Sequence, residues 1–145
     1  NWLTVNRYDK NENNTLDCIQ SLKNKGYKIV ATSPHNSQTD LINFDLSKGK
    51  TALFFGTEVE GLSDVVLENA DEHLHIPMYG FTESFNLSVS AAICLYEMRM
   101  KMEKENIKWQ MTEDEKNQVL LNWLRYSIDR SEIVEEDFLK NRLGC

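Results

Sequence analysis

Two short segments hold the polar side chains whose types and spacing could serve a reaction. In the first, Phe54-Phe55-Gly56-Thr57-Glu58-Val59-Glu60-Gly61-Leu62-Ser63, an apolar run meets a loop bounded by two glycines. Glycines let backbone approach a ligand closely, and a helix starting just beyond supplies free N–H donors. Glu58 is a carboxylate inside that loop. In the second segment, Ile76 to Ala92, a polar loop leads into an apolar helix start that carries Ser84, Asn86 and Ser88. Ser84 reads as an N-cap and Asn86 as a first-turn residue. Polar groups entering an apolar, small-residue helix are costly unless bonded, so Asn86 and Ser88 are expected to have partners. Neither segment is a phosphate loop of nucleotide hydrolases, since no Lys-Ser or Lys-Thr follows Gly61, and the G-x-G-x-x-G dinucleotide spacing is absent. Taken alone, the first segment also reads as an ordinary strand-to-helix turn.

The elements that would position these segments follow from periodicity. Leu16, Ile19 and Leu22 recur at helical spacing, and Gly26 stands where a helix C-cap belongs. Lys28-Ile29-Val30-Ala31-Thr32 and Thr51-Ala52-Leu53-Phe54-Phe55 read as buried parallel strands, with a turn or short helix between them around Leu41 to Leu46. A short helix is expected over 62–70, with Ser63 and Asp64 as capping candidates, and a strand over 73–77 that Pro77 ends. From Ser84 to about Lys104 the pattern is helical, and a final helical region opens at Thr112, which with Glu115 forms a capping-box signature. Strands alternating with helices predict an α/β architecture, a parallel sheet flanked by helices.

Composition bounds the rest. A chain of 145 residues, 41% hydrophobic and 27% charged, suits a single compact domain. No apolar run approaches the roughly 20 residues of a bilayer span, and no secretory signal opens the chain, so a cytoplasmic protein with no membrane association is expected. Cys18, Cys94 and Cys145 are far apart and form no C-x-x-C pair, which predicts reduced thiols. Cys94 lies in an apolar helical run and is not expected to act as a nucleophile. His73 and His75 beside Asp71 are a poor ligand set, and no metal is expected. The net charge of -7 does not by itself suggest a polyanion partner. Arg99, Lys101, Lys104 and Lys108 cluster in one stretch and Glu132, Glu135, Glu136 and Asp137 in another, and both clusters read as solvated helix faces.

Together the two segments resemble the SpoU-type branch of the SPOUT superfamily, the RNA 2'-O-ribose methyltransferases. Phe55 through Ser63 match the pattern F-G-x-E-x-x-G-L-S, and Ile76 through Ser90 match I-P-M-x-G followed by S-x-N-x-S-V-A, with Ser90 in place of the last alanine and Phe85 where leucine is usual. The resemblance runs from Trp2 to Phe138, and the Trp123-Leu124-Arg125 helix is similar to that of the tRNA guanosine-18 members. It implies a trefoil knot, which general topology rules would never suggest. It implies one SPOUT methyltransferase domain over residues 1–145 with a helical extension over about 112–141. It also implies an N-terminally truncated chain, because the family's first motif, with its essential arginine, is expected ahead of Asn1; Arg7 has no such surroundings.

The resemblance further implies S-adenosylmethionine as cofactor, held by Thr32, Gly56, Ile76, Met78, Phe85 and Leu87. Glu58, Ser84 and Asn86 would be the catalytic residues, Ser84 and Asn86 positioning the cofactor end and the ribose and Glu58 holding the loop or orienting partners. The implied partners are structured RNA, tRNA more than ribosomal RNA, and a second copy of the chain through the Ala91 to Tyr96 helix and the Trp123 helix. Three functions are open at this level: the methyltransferase, an inactive cofactor- or RNA-binding module, and a generic α/β small-molecule enzyme.

Overall fold

The computed structural model describes residues 3–10, 12–34, 39–81 and 84–143. Trp2 and Cys145 lie outside the described residues, as do Thr82 and Glu83 of the second segment. The chain divides into two compact units, Arg7–Lys108 and a second made of Asn1–Asn6 with Trp109–Cys145.

In the first unit the element order is α1 (Asn14–Asn24), β1 (Lys28–Thr32), β2 (Thr39–Asp40), two 3-10 turns (Leu41–Asn43 and Leu46–Lys48), β3 (Thr51–Phe54), α2 (Asp64–Asn69), β4 (Glu72–His75) and α3 (Leu87–Lys104). All strand pairings are parallel, and the sheet order is β2-β4-β1-β3. The central β1 carries three successive buried residues, Ile29, Val30 and Ala31, as a strand covered on both faces must. Val30 faces Leu41, Phe44, Leu46, Leu74, Cys94 and Met98, beneath the 3-10 turns and α3. Ile29 and Ala31 face Ile19 and Val66, beneath α1 and α2. Each large side chain buried here, Phe44, Ile19, Ile29 and Leu74 among them, stabilises the unit by roughly 1.5–3 kcal/mol.

Polar contacts set the register. The α1 C-terminus closes as expected around Gly26, with Gly26 N–H donating to Lys23 O and Tyr27 N–H to Leu22 O. Asp71 accepts from Ile29 N–H at 2.7 Å and from Lys23 Nζ at 3.3 Å, joining the start of β4 to β1 and α1. Lys28 pairs with Glu72 across neighbouring strands. Lys101 donates to the carbonyls of Ile42 and Phe44, which pins the 3-10 turn beneath α3.

The expected elements are all present, with shifted bounds. The strand at 51 ends at Phe54 and is half-buried because β3 stands at the sheet edge. The strand expected over 73–77 runs from Glu72 to His75, since Ile76 and Pro77 leave the ladder. Ser63 is the N-cap of α2 without a side-chain cap bond. The long helix begins at Leu87 rather than Ser84, because Asn86 is its N-cap. The two-residue β2 has too few residues to show a period in sequence.

The second unit holds α4 (Glu113–Ser127) and α5 (Ser131–Leu143). The Thr112 and Glu115 capping box forms with both reciprocal bonds. A break at Arg130, with φ of 55°, separates the two helices, and Arg125 Nε reaches Glu135 at 2.9 Å between them.

Candidate cofactor cleft

The cleft opens at the C-terminal ends of β1, β3 and β4, where open parallel sheets place their ligands. Thr32, Ser33 and Pro34 form one side, and Phe55, Gly56, Thr57 and Glu58 a second. Leu74, Ile76 and Met78 form a third, and Ser84, Phe85, Leu87 and Ser90 close it from the start of α3. The space within this half-open cleft is about 100 Å³.

The glycine loop has the shape its sequence requires. Thr57 N–H donates to Gly61 O at 2.9 Å and Gly61 N–H to Thr57 O at 3.1 Å, so the loop is pinched shut at its neck. Thr57 Oγ1 accepts from Glu60 N–H at 3.0 Å inside it. Gly61 has φ of +71°, a region L side chains rarely adopt. At Gly56 a Cβ would lie closer than 3.0 Å to backbone atoms of Gly61 and Leu62, so the neck closes only with glycine there. Thr32 Oγ1 donates to Phe54 O at 2.7 Å and fixes the ends of β1 and β3 side by side.

Among the described residues the two segments meet through a hydrogen bond. Asn86 Nδ2 donates to Glu58 Oε1 at 2.8 Å, while Asn86 Oδ1 accepts from Ser88 N–H at 2.9 Å as the cap of α3. Both ends of the Asn86 amide are therefore used, while Ser88 takes part through its backbone N–H and both residues are exposed. Eight of the nine residues named from sequence, Thr32, Gly56, Glu58, Ile76, Met78, Ser84, Phe85 and Leu87, line the cleft. Asn86 does not line it and touches it only through Glu58. Ser33, Pro34, Leu74 and Ser90 also line it. Ser90 stands one turn beyond the cap, and its spacing from Asn86 was the available clue.

The lining is mostly apolar, and among the described residues Glu58 is its sole charged member. Phe85 and Leu87 are 36% and 43% exposed, an apolar wall half open to solvent. These features fit a ligand with a flat, apolar-faced part and one positive centre. Cys94 is fully buried in the core below, and burial pushes its thiol up to about 11, so it presents no thiolate to the cleft. His75 Nδ1 lies 3.2 Å from Asp40 Oδ1. Of the basic cluster, Arg99 pairs with Glu103 at 2.6 Å and Lys101 is held by the two carbonyls.

The sequence pattern of the SpoU rRNA Methylase family matches residues 2–96. The chain belongs to the SpoU methylase family. A tRNA (guanosine(18)-2'-O)-methyltransferase of Borreliella burgdorferi is 40% identical over 134 residues, which is 92% of this chain and 59% of that protein. The TrmH/SpoU tRNA modifying enzyme of Aquifex aeolicus superposes with a TM-score of 0.67 at 31% identity, over 79% of this chain and 59% of that one. An AdoMet-bound rRNA methyltransferase from Sinorhizobium meliloti superposes with a TM-score of 0.56 at 30% identity, over 61% of this chain and 33% of that one. The SpoU-type chain described here thus spans under two thirds of the length of these relatives. Within the family pattern lie both loops of the cleft and the cap of α3.

Proposed function

We propose that this chain binds S-adenosylmethionine in the cleft and serves the transfer of its methyl group to a ribose 2'-hydroxyl of structured RNA, with guanosine-18 of tRNA as the target. The observation that carries this reading is the meeting of the two family segments at the strand ends, closed by the Asn86–Glu58 bond. The names of the similar tRNA enzymes from Borreliella burgdorferi and Aquifex aeolicus support the choice of tRNA, and the AdoMet-bound relative supports the cofactor.

Bound in the cleft, the cofactor would supply an electrophilic methyl on a sulfonium: a C–O bond forms, the C–S pair stays on sulfur, and the hydroxyl proton leaves to a base. The residues of this chain contribute binding and orientation. Ile76, Met78, Phe85 and Leu87 would cover the flat base, Thr32 and Gly56 would shape the turn beside it, and Ser84 with Glu58 would face the reacting end. The described lining holds no lysine, arginine or histidine, and activation of the hydroxyl is assigned to a residue outside the described lining. Residues 1–145 would then be one methyltransferase domain with its helical extension. The trefoil knot belongs to the same proposal, supported by β4 lying between β1 and β2 although it follows both in the chain. Pairing of two copies is supported by Leu95 and Tyr96, 63% and 68% exposed on α3. A cytoplasmic setting is supported by the free thiols of Cys18 and Cys94.

Calorimetric titration with S-adenosylmethionine and a radiolabelled methyl-transfer assay on unmodified tRNA test this directly. Binding with transfer to tRNA, lost on replacing guanosine-18, is the expected result. Transfer to ribosomal RNA alone would move the target. Binding without transfer would favour a second reading, a cofactor-binding module, which the absence of a cationic residue from the described lining supports. Failure to bind the cofactor removes both.

A further inference from the structure

Glu58 stands on an exposed loop, where an untethered glutamate would sample many rotamers in water. Its tether is the Asn86 amide, 28 residues away in the chain, at 2.8 Å. That amide cannot turn over: its oxygen is committed to Ser88 N–H in the cap of α3, so its nitrogen must face the carboxylate. One carboxylate oxygen is thereby engaged, and Glu58 itself lines the cleft.

We infer that Asn86 is a positioning residue that aims the Glu58 carboxylate into the cleft, and that this carboxylate lets the site distinguish the cationic sulfonium cofactor from its neutral thioether product. The inference rests on the cofactor reading given above. Methyl transfer leaves the C–S electron pair on sulfur, so the positive charge that Glu58 attracts is gone once the new C–O bond exists. Attraction is present before the step and absent after it, which favours exchange of product for fresh cofactor. A unit charge pair about 4 Å apart in a water-like surrounding corresponds to roughly a fivefold preference, and more where the ligand excludes water.

The test is the ratio of the dissociation constants of S-adenosylhomocysteine and S-adenosylmethionine, measured by titration on the wild type, Asn86→Ser and Glu58→Gln. Serine caps helices about as well as asparagine, so α3 keeps its cap while the bond to Glu58 is lost. The ratio should fall at least about fivefold in Glu58→Gln, and should fall in Asn86→Ser as well, with no further fall when Asn86→Ser is added to Glu58→Gln. A merely structural role would weaken both ligands alike and leave the ratio unmoved. An unchanged ratio in Asn86→Ser, or in Glu58→Gln, overturns the inference while the cofactor reading stands. A wild type that binds neither ligand overturns the cofactor reading first.

Discussion

Replacing Gly56 with alanine offers a direct measure of how tightly the cleft depends on its glycine loop. The added methyl would sit closer than 3.0 Å to the backbone of Gly61 and Leu62, where no flexible side chain can yield. The neck must open, and with it go the two bonds between Thr57 and Gly61 and the bond from Glu60 N–H to Thr57 Oγ1. At a net worth of about 0.5–1.5 kcal/mol each, these three bonds put the cost of opening at roughly 1.5–4.5 kcal/mol. If binding must reclose the loop, that cost appears as a roughly 10- to 2,000-fold loss of affinity. Titration of Gly56→Ala with S-adenosylhomocysteine reads the loss, and amide exchange at Gly61 reads the opening. The thermal transition should fall as well, since the folded state loses the same bonds and Phe55 and Leu62, which flank the loop, pack against the two core clusters. Gly61→Ala is the internal comparison: it has open space for a methyl but a φ of +71°, a strain of about 1–2 kcal/mol, so its loss should be nearer tenfold. Affinity within threefold of wild type in Gly56→Ala, with Gly61 N–H still protected, would refute the reasoning.

Three other outcomes are expected. The Glu72 carboxyl is pushed upward by burial, but bonds from Lys28 and Thr39 and the Lys28 charge outweigh this and hold it below its ordinary value; it therefore stabilises the fold above the ordinary carboxylate range, and that contribution is lost as pH falls through the lowered value. Glu72→Gln should accordingly lower denaturant stability at pH 7, with the gap to wild type closing on titration below about pH 4. Lys101→Met removes a cation from two carbonyls and should destabilise by roughly 1.5–3 kcal/mol in urea titration, without changing cofactor affinity more than the accompanying loss of folded protein does. At neutral pH a thiol reagent should modify Cys18 well before Cys94, whose thiol is buried and pushed up to about 11, and Cys94→Ala should retain methyl transfer.

Much of the site is legible in sequence because its residues sit at punctuation. Gly56 and Gly61 mark a loop, Pro77 marks the end of a ladder, and Asn86 with Ser88 marks a polar entry into an apolar helix. Each is a local oddity whose cost demands a partner. The pairing of Asn86 with Glu58 is less legible, since it joins loops of different strands and no local rule relates them. Ser84 reads as a cap from type alone, yet Asn86 takes that place because its side chain reaches Ser88 N–H. Leu74 and Ser90 reach the cleft through strand alternation and one further helical turn, which place a side chain on a face without saying what that face encloses. The sheet order is the least legible feature, because β2 has two residues and its partner β4 lies beyond β3.

That order has a consequence for how the molecule comes into being. During synthesis β1 and β3 can pair as soon as Phe54 has emerged, but among the described residues β2 pairs with β4 alone, and β4 must enter between two strands already made. Non-local parallel pairing is slow, and chains waiting for it expose their edges. The walls contributed by Ile76, Met78 and Leu87 arrive with or after that insertion. A half-assembled chain therefore offers a ligand only the Thr32 and Gly56 sides of the cleft, and occupancy favours molecules whose last strand has been seated.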